Sequence, residues 1–485
     1  MALPPGVLGA ATTHMSAPGS SSSPATPTRR GTELALLGFG LGLVVLAFVL
    51  ISENQSQKLK PEILLYIAGY AALFGVAHLA VRKFAPYADP LILPCAGLLN
   101  GLSIAMLYRL DPALAQLALE SGHGYSNAAP KQLLWTALSL VAMVAVLWGV
   151  KDHRTLSRYG YTFGLVGLVL LVLPGVLPCS ISCVGGAKLW IIIGPVSIQP
   201  GEFAKVLIIL FVAAFLVAKR DLFTIAGRKV LGLELPRPRD LGPLLIAWAI
   251  AILVLMIETE LGASLMFFGT VLAMVYLATE RSAWVWIGIV LFMGGATLAD
   301  RMFVHVQQRV ANWIDPFADR GDTGYQMVQS LVSLGSGGMA GAGLGAGHPE
   351  LVPVVSSDFI VTAFGEELGF IGLAAMIVIY MLLALRGLRS GLAVRDTFGK
   401  LLAGGLSFLL MWQMFVVIGG VSKLIPETGL TAPFLSAGGS SLLASYVIVA
   451  LLLRISDAAR RPQASRPKPQ APIAEASTVL VERPT

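Results

Sequence analysis

Long apolar runs alternate with short polar segments along most of the chain. About twelve of these runs reach the roughly 17–25 residues that an α-helix needs to cross the hydrocarbon core of a bilayer. They predict helices near residues 34–52, 62–81, 90–108, 132–150, 160–178, 202–218, 241–257, 261–279, 283–299, 358–385, 401–421 and 433–454. The pattern therefore predicts an all-α polytopic membrane protein with about twelve transmembrane helices.

Composition and charge agree with this fold class and orient the helices. Hydrophobic residues make up 56% of the 485-residue chain and charged residues 13%, whereas about 25% of the residues in soluble domains are charged. Of the 34 lysines and arginines, 24 fall on one side of the predicted bundle, nine fall on the other, and Lys205 lies within a helix. Because basic residues concentrate in cytoplasmic loops, both termini are predicted to be cytoplasmic. The net charge of +7 follows from this topology and gives no reason to predict nucleic-acid binding.

The chain is predicted to have four parts. Residues 1–31 and 456–485 are rich in Ser, Pro and Ala, which predicts disordered cytoplasmic tails. Residues 32–89 hold two of the predicted helices. Residues 90–455 hold the other ten, with a large extracytoplasmic loop at 300–357.

Several charged residues lie in or beside the predicted helices, where a charge at the bilayer centre costs about 2.5–3.5 kcal/mol. Glu202 and Lys205 are three residues apart at a helix start and can face each other, either as a structural ion pair or as part of a site. Asp358 and Glu366 are eight residues apart, so they share one face of the tenth helix. Asp358 could also stabilise the helix start, and Glu366 or Glu367 could make polar contacts between helices. Together these residues predict a water-filled cavity that opens outward.

The external loop holds two unusual stretches. The stretch NWIDPFADRGDTGYQMVQS places Asp315, Asp319 and Asp322 around Arg320. The stretch SLGSGGMAGAGLGAGHPE, residues 333–350, is rich in glycine but lacks the Lys-Ser/Thr ending of a nucleotide-binding loop. It is therefore predicted to be a close-packed or mobile loop over a cavity.

The three cysteines and six histidines show no metal-site spacing. Cys95 lies in an apolar run and is expected to be a small buried side chain. Cys179 and Cys183 lie in an external loop, where a disulfide can form. The sequence leaves this disulfide and a pair of free thiols equally open.

Five stretches, in order along the chain, resemble motifs of the shape, elongation, division and sporulation (SEDS) family, which includes RodA and FtsW. They are GGAKLWIIIGPVSIQPGEFAKV, ETELGASL, DPFADRGDTGYQMVQS, SSDFIVTAFGEELGFIG and LIPETGLTAPFLSAGGSSLLAS. The resemblance covers about residues 90–455. The two helices before residue 90 make the chain similar to actinobacterial RodA-like members.

The chain departs from the family pattern at four positions. Glu260 stands where the family usually has Asp, and Thr259 stands where it usually has Pro. These two differences bear on the role of the Glu258–Glu260 pair. Ser356 stands where His is frequent, and Val417 where Asn is common.

The resemblance implies a ten-helix membrane core, extended here by two N-terminal helices, and an enzymatic function. SEDS proteins are peptidoglycan glycosyltransferases that polymerise lipid II into glycan strands on the outer face of the cytoplasmic membrane during cell elongation or division. They work with a class B penicillin-binding protein, which is a transpeptidase, and with other elongation or division proteins. The family's catalytic Asp lies six residues before the Tyr of its Gly-Tyr-Gln motif. Tyr325 identifies it in this chain as Asp319.

Such a reaction needs a base for the attacking sugar hydroxyl and positive charge for the departing pyrophosphate. Asp319 is the candidate base; alternatively it holds a divalent cation such as Mg²⁺ or Mn²⁺, caps a turn or pairs with Arg320. No cofactor is certain from the sequence. The candidate substrate-binding residues carry a charge or hydroxyl in the motifs or the external loop, and they are Lys188, Glu202, Lys205, Arg309, Arg320, Asp358, Glu366 and Ser440. Each cation could instead be a solvated charge, and Ser440 could serve close helix packing.

Two other classes of function compete with polymerisation. A lipid II flippase or another lipid-linked sugar transporter would place its charges near the midplane and often shows inverted repeats. A scaffold that only recruits the transpeptidase would not need the carboxylates. The polar residues lie toward the outer loops and no repeat is evident, which favours chemistry outside the membrane.

Overall fold

The computed structural model describes residues 28–55, 60–184, 187–194, 196–219, 228–230, 233–235 and 261–462. The predicted helix at 241–257, the Glu258–Glu260 pair and most of both predicted tails lie outside these residues. Residues Arg29–Arg460 form one compact unit. Its packing comes almost entirely from helices.

The helices follow the apolar runs closely. Their bounds are α1 Arg30–Asn54, α2 Pro61–Phe84, α3 Ile92–Glu120, α4 Ala128–Gly149, α5 Arg154–Ser157, α6 Gly160–Val176, α7 Cys179–Ser182, α8 Pro200–Ala218, α9 Leu261–Thr279, α10 Ala283–Met302, α11 Val304–Ile314, α12 Tyr325–Gly337, α13 Ile360–Ala393, α14 Thr397–Val421 and α15 Gly439–Arg460. Among the described residues, ten of these helices are long and apolar enough to cross a membrane, and α6 is a shorter apolar helix of 17 residues. The polytopic helical fold is confirmed, and the count of twelve spans stays a prediction.

Four predicted helix ends were wrong by six or more residues: the end of α3, the end of α13 and both ends of α15. Helix α3 continues to Glu120 and so extends well past the predicted end near residue 108. Helix α15 begins at Gly439, because the apolar residues before it form an irregular segment in which Phe434 has a φ of 65°. Hydropathy alone does not distinguish a buried irregular segment from a helix start.

Short antiparallel strand pairs lie between the helices. Strand β1 (Cys183–Val184) pairs with β2 (Ala187–Lys188), and β3 (Ile191–Ile193) pairs with β4 (Val196–Ile198). A further pair, β5 (Arg228–Val230) with β6 (Leu233–Leu235), follows α8. The first two pairs form the connection that carries Lys188 toward α8.

Small residues let the central helices approach closely. A Cβ atom on Gly387 of α13 would lie 2.0 Å from the Ser407 hydroxyl of α14. A Cβ atom on Gly439 would lie 2.0 Å from the Trp135 ring of α4. Most of the α3, α14 and α15 side chains are buried, whereas α10 is largely exposed along its length. Close helix packing is therefore one role of the Gly438–Ser441 run.

The polar segments meet at one end of the helical bundle. Asn54, at the end of α1, donates to the Leu344 carbonyl oxygen over 2.6 Å. The Trp313 indole donates to the Lys423 carbonyl oxygen over 3.2 Å. We call the end that carries residues 303–358 and 422–438 the polar end.

Candidate functional site

Asp319 lies in the tight turn between α11 and α12, and its side chain is exposed. Its Oδ2 accepts hydrogen bonds from the Thr323 amide over 3.3 Å and from the Thr323 hydroxyl over 2.9 Å. The same hydroxyl oxygen lies 3.2 Å from Oδ1 of Asn312, and Nδ2 of Asn312 donates to the Thr323 carbonyl oxygen over 2.8 Å. The turn thus fixes one carboxylate oxygen of Asp319, while Oδ1 has no hydrogen-bond partner among the described residues.

The other charged side chains of this loop make fewer contacts than Asp319. Asp315 accepts a bond from the Phe317 amide over 3.1 Å, and Arg320 and Asp322 are exposed. No ion pair joins Arg320 to Asp319 in the part of the chain that the structure describes. Of the structural alternatives for Asp319, the capped turn is present and the pairing with Arg320 is not.

The carboxylates do not converge on a metal position. Among the described residues, no group of three or more His, Cys, Asp or Glu side chains has the geometry to hold a metal ion. Asp319 would offer such an ion one oxygen. The described residues therefore do not form a metal site by themselves.

Arg309 lies on α11 among three other titratable side chains. Its Nη1 and the Nε2 of His305 are buried and have no hydrogen-bond partner among the described residues. A Cβ atom on Gly429 would lie 3.7 Å from Nη2 of Arg309 and 3.9 Å from Oδ2 of Asp358. We call Arg309, His305, Asp358 and Glu427 the Arg309 cluster.

Burial dominates the electrostatics of this cluster. It raises the pKa of Asp358, which precedes α13, to about 6, against an opposing hydrogen bond with Ser357. Burial also raises the pKa of Glu427, and the Arg309 charge acts in the opposite direction. The pKa of His305 is lowered by burial and by Arg309. The cluster thus holds carboxylates and buried donors that a polar ligand could engage.

Glu202 and Lys205, on the first turns of α8, form a buried ion pair of 2.5 Å. Nζ of Lys205 also donates to Oε1 of Gln413 over 3.1 Å. Both charged residues line a small cleft. The other lining residues are mostly apolar, and they are Leu171, Pro174, Leu189, Gln199, Gly201, Ala263, Met266, Phe267 and Leu430. The pair is therefore both a structural element and part of a cleft wall.

Ser440 and Lys188 flank the entrance to α8. The Ser440 hydroxyl is buried and accepts a hydrogen bond from the Gln199 amide over 2.9 Å. Lys188 is partly exposed in β2, beside Leu189 of the cleft. Cys183, its partner across the strand pair, is joined to Cys179 by a disulfide in the structure.

Glu366 and Glu367 hold the glycine-rich segment 338–350. Glu366 accepts hydrogen bonds from the Ser333 hydroxyl and the His348 amide, each over 2.6 Å. Glu367 accepts from the Gly345 amide over 2.9 Å. Glu366 therefore lies near the polar end with both carboxylate oxygens already bonded, and the segment is close-packed.

Three residues of the polar end were missed by the sequence analysis. Arg109, 3% exposed at the polar end of α3, pairs with Glu367 and, over 2.9 Å, with Glu350. Glu427 lies inside one of the five motif stretches, and His305 is one turn before Arg309. These three residues could have been found in the sequence, because each places a charge or an imidazole within an otherwise apolar stretch or within a motif.

The site segments are linked through α11. Arg309 and Asn312 are three residues apart and so lie on the same helix face. Asn312 contacts Thr323, which holds Asp319. On the other side, Gly429 approaches Arg309, and the next residue lines the cleft of Glu202. The exposed carboxylate, the Arg309 cluster and the cleft are thus linked through neighbouring residues of α11 and through Gly429 and Leu430.

The chain is similar to known proteins over most of its length. The FtsW, RodA and SpoVE family of cell cycle proteins matches residues 89–461. Peptidoglycan glycosyltransferase RodA of Mycobacterium tuberculosis is 50% identical over 472 residues, which cover 97% of this chain and all of that protein. The Mycobacterium leprae protein of the same name is 50% identical over 95% of this chain and 97% of its own.

The fold also has a solved counterpart. A chain of a peptidoglycan synthase complex, solved in work on the structural coordination of polymerization and crosslinking, superposes with a TM-score of 0.52. It is 22% identical, and the match covers 81% of this chain and 96% of that one. The chain is thus a multi-pass membrane protein, and it belongs to the FtsW, RodA and SpoVE family, the SEDS family that its five motifs predicted.

Proposed function

We propose that this protein is a peptidoglycan glycosyltransferase that polymerises lipid II into glycan strands on the outer face of the cytoplasmic membrane. The mycobacterial relatives that match it over nearly their whole length bear the name peptidoglycan glycosyltransferase RodA. The observation that carries the proposal is the continuity of the polar end. One short helix, α11, connects the turn of Asp319 with the Arg309 cluster, and that cluster adjoins a largely apolar cleft.

The proposed reaction joins two lipid-linked sugars. The 4-hydroxyl oxygen of the acceptor sugar forms a bond to the anomeric carbon of the donor, and the bond from that carbon to the pyrophosphate oxygen breaks. Oδ1 of Asp319 accepts the hydroxyl proton, an effect worth about 10²–10⁴-fold in rate. The Thr323 bonds to Oδ2 fix the orientation of this carboxylate.

The leaving pyrophosphate takes the electron pair and needs positive charge. We assign this role first to Arg309, because its Nη1 is buried and has no hydrogen-bond partner among the described residues. A donor atom that is shielded from water stabilises developing anionic charge more strongly than a solvated one. Lys188, which is partly exposed, and Arg320, which is exposed, are assigned to the approaching headgroup.

The cleft is proposed to bind the polyprenyl part of lipid II, which is an amphiphilic substrate. Leu171, Pro174, Phe267 and Leu430 give it apolar walls, and Glu202 and Lys205 add a polar patch. A polyprenyl chain would lie against the apolar wall while its pyrophosphate points toward Gly429 and the Arg309 cluster. This placement requires no movement of charge across the membrane, in contrast to transport.

The distribution of basic residues indicates the orientation of the protein in the membrane, and this orientation indicates a partner. With 24 of the 34 basic residues on the side of the two termini, the polar end faces outward. The strands would then be released where a class B penicillin-binding protein can cross-link them. The similar fold found in a peptidoglycan synthase complex supports such a partner.

A glycan gel tests the proposal. The full-length protein, purified with its class B transpeptidase, is given labelled lipid II, and Asp319→Asn is compared with Asp322→Asn as an exposed neighbouring control. We expect a polymer ladder from the wild type and the control, and none from Asp319→Asn at equal expression and thermal stability. A ladder that survives in Asp319→Asn would exclude this residue as the base. No ladder from any form, together with movement of lipid II across vesicles, would favour the flippase.

A further inference from the structure

Helices α1 and α2 lie before residue 89, where the family match begins, and no step of the proposed reaction uses them. The mycobacterial relatives nevertheless match 95–97% of the chain, so they share this N-terminal region. Because the relatives share helices α1 and α2 and the proposed reaction does not use them, we expect these helices to have another role. The contacts of α1 at the polar end indicate what that role is.

The polar end of α1 touches the glycine-rich segment directly. Nδ2 of Asn54 donates to the Leu344 carbonyl oxygen over 2.6 Å. A Cβ atom on Gly345 would lie 3.1 Å from the Cα and the carbonyl oxygen of Ile51. Gly345 also has a φ of 85°, a conformation that favours glycine. The segment is thus shaped to lie against the last turn of α1.

The same segment is bonded to the buried charges of the core. The Gly345 amide donates to Glu367 over 2.9 Å, and Glu367 pairs with Arg109. Arg109 also donates to the Gly347 carbonyl oxygen. Gln55, the residue after α1, donates to the Arg109 carbonyl oxygen over 3.3 Å. Helix α1 therefore contacts both the segment and the arginine that holds it.

From the segment, bonds continue to the helix that follows the Asp319 turn. The His348 amide and the Ser333 hydroxyl both donate to the carboxylate of Glu366, each over 2.6 Å. Ser333 belongs to α12, which begins at Tyr325 directly after that turn. The Gly324 amide, just before α12, donates to the backbone carbonyl of Asp319 over 3.0 Å. The contacts thus connect α1 with Asp319 without a break.

We infer that α1 is a positioning element for the polymerase site, and that Asn54 is its main positioning residue. By holding segment 338–350 in place, it fixes α12 and hence the turn that carries Asp319. The inference rests on the proposed function for its effect on rate, but its structural part can be tested without activity.

Helix α1 is anchored elsewhere, so a change at Asn54 leaves it folded. Near its other end, Glu33 pairs with Arg30 and lies 2.8 Å from Nδ1 of His78 on α2. Between Glu33 and Asn54, the Phe48 ring packs edge-on against Tyr108 of α3 at a centroid distance of 5.6 Å. These contacts involve no part of segment 338–350.

The test uses variants of similar size in the full-length protein. Asn54→Asp keeps the shape but replaces the amide donor with an acceptor that faces the Leu344 carbonyl. Asn54→Gln keeps an amide donor on a longer side chain and serves as the conservative rescue. Glu53→Gln changes the exposed neighbouring residue and serves as the matched control.

Amide hydrogen exchange is measured first, because it does not depend on catalysis. For Asn54→Asp we expect peptides from 338–350 and 316–325 to exchange about fivefold faster, the change expected when one hydrogen bond of ordinary strength is lost. Asn54→Gln should lie between this variant and the wild type, and Glu53→Gln should match the wild type. Unchanged exchange at 316–325 in Asn54→Asp would overturn the inference, whether or not any form polymerises lipid II.

Polymerisation kinetics then give the second readout. We expect Asn54→Asp to lower kcat about tenfold, within the up to 10²-fold loss that a displacement of ~1 Å can cause. KM for lipid II should change less than about twofold, because a positioning residue does not touch the substrate. A loss of kcat that merely follows a lowered Tm, or no loss in an active wild-type background, would overturn the inference. An inactive wild type would count against the proposed function, and the exchange result would still decide the role of α1.

Discussion

The backbone of Gly324 lies so close to Pro316 that a Cβ atom on the glycine would fall 2.3 Å from the proline carbonyl oxygen. The same atom would lie 2.9 Å from the Asp319 carbonyl oxygen. The turn that holds the candidate base is therefore closed around a position without a side chain. This relationship makes the geometry of Asp319 sensitive to a single methyl group.

Gly324→Ala should open the turn and move the Asp319 carboxylate. A displacement of ~1 Å can lower the rate by up to 10²-fold, so the glycan ladder should nearly disappear. Gly321→Ala is the matched control, because no atom lies within 4 Å of a Cβ at Gly321. Equal polymerisation rates for the two variants would show that the turn does not position the base.

The buried pair of Glu202 and Lys205 should matter for stability as well as for the cleft. Lys205→Met leaves an uncompensated carboxylate, and breaking a buried pair in this way costs about 3–5 kcal/mol. We expect a clearly lowered Tm in detergent, and the double variant Glu202→Gln with Lys205→Met should recover most of the loss. Failure of the double variant to recover stability would mean that the pairing itself is not the stabilising contact.

Asp358 should make stability depend on pH. Its folded pKa, about 6, is raised above the usual value by burial. The folded state therefore binds the proton more tightly than the unfolded state, and the wild type gains stability as the pH falls from about 6 toward 4. We expect the Tm difference between Asp358→Asn and the wild type to be larger at pH 7.5 than at pH 5.

Glu427 should contribute to the same pH dependence of stability, because burial also raises its pKa. Glu427→Gln in the Asp358→Asn background should flatten the remaining slope between pH 5 and pH 7.5. A Tm difference between Asp358→Asn and the wild type that stays constant over this range would contradict the assignment to Asp358.

Arg309 should be more important for catalysis than an exposed arginine. Arg309→Lys keeps the charge but loses the planar fork of donors, and we expect kcat to fall by about 10²-fold, as for loss of one preorganised donor to a developing oxyanion. Arg301→Lys, in the exposed last turn of α10, is the control. A fall in kcat of the same size for both would assign the effect to general charge.

The disulfide between Cys179 and Cys183 predicts how these two residues react with a thiol reagent. Before reduction, a thiol reagent should label neither residue in the folded protein, and Cys95 should also stay unlabelled because it is buried. After reduction, two labels per chain should appear in the peptide that contains both residues. Labelling of that peptide without reductant would show that the thiols are free.

Much of the fold and of the candidate site could be predicted from local sequence. A helix that crosses a bilayer needs about 20 apolar residues, so hydropathy located every described long helix, although α3 and α13 continue well past their predicted ends. The resemblance to the SEDS motif around Tyr325 identifies Asp319 as the candidate base, and the geometry of one helix turn predicts the ion pair of Glu202 and Lys205. Each of these features depends on residues that are close together in the chain.

The tertiary structure decided which distant polar groups meet. Arg109 and Glu367 are 258 positions apart, and Asn54 and Leu344 are 290 positions apart. No periodicity links such residues, because their approach depends on how whole helices pack and on glycines that permit backbone contact. By itself the sequence determined the helices, the family and the candidate base. Helix packing decided that α1 reaches the glycine-rich segment, and that Arg309 shares its cluster with Asp358 and Glu427, because only the folded core brings these groups out of water together.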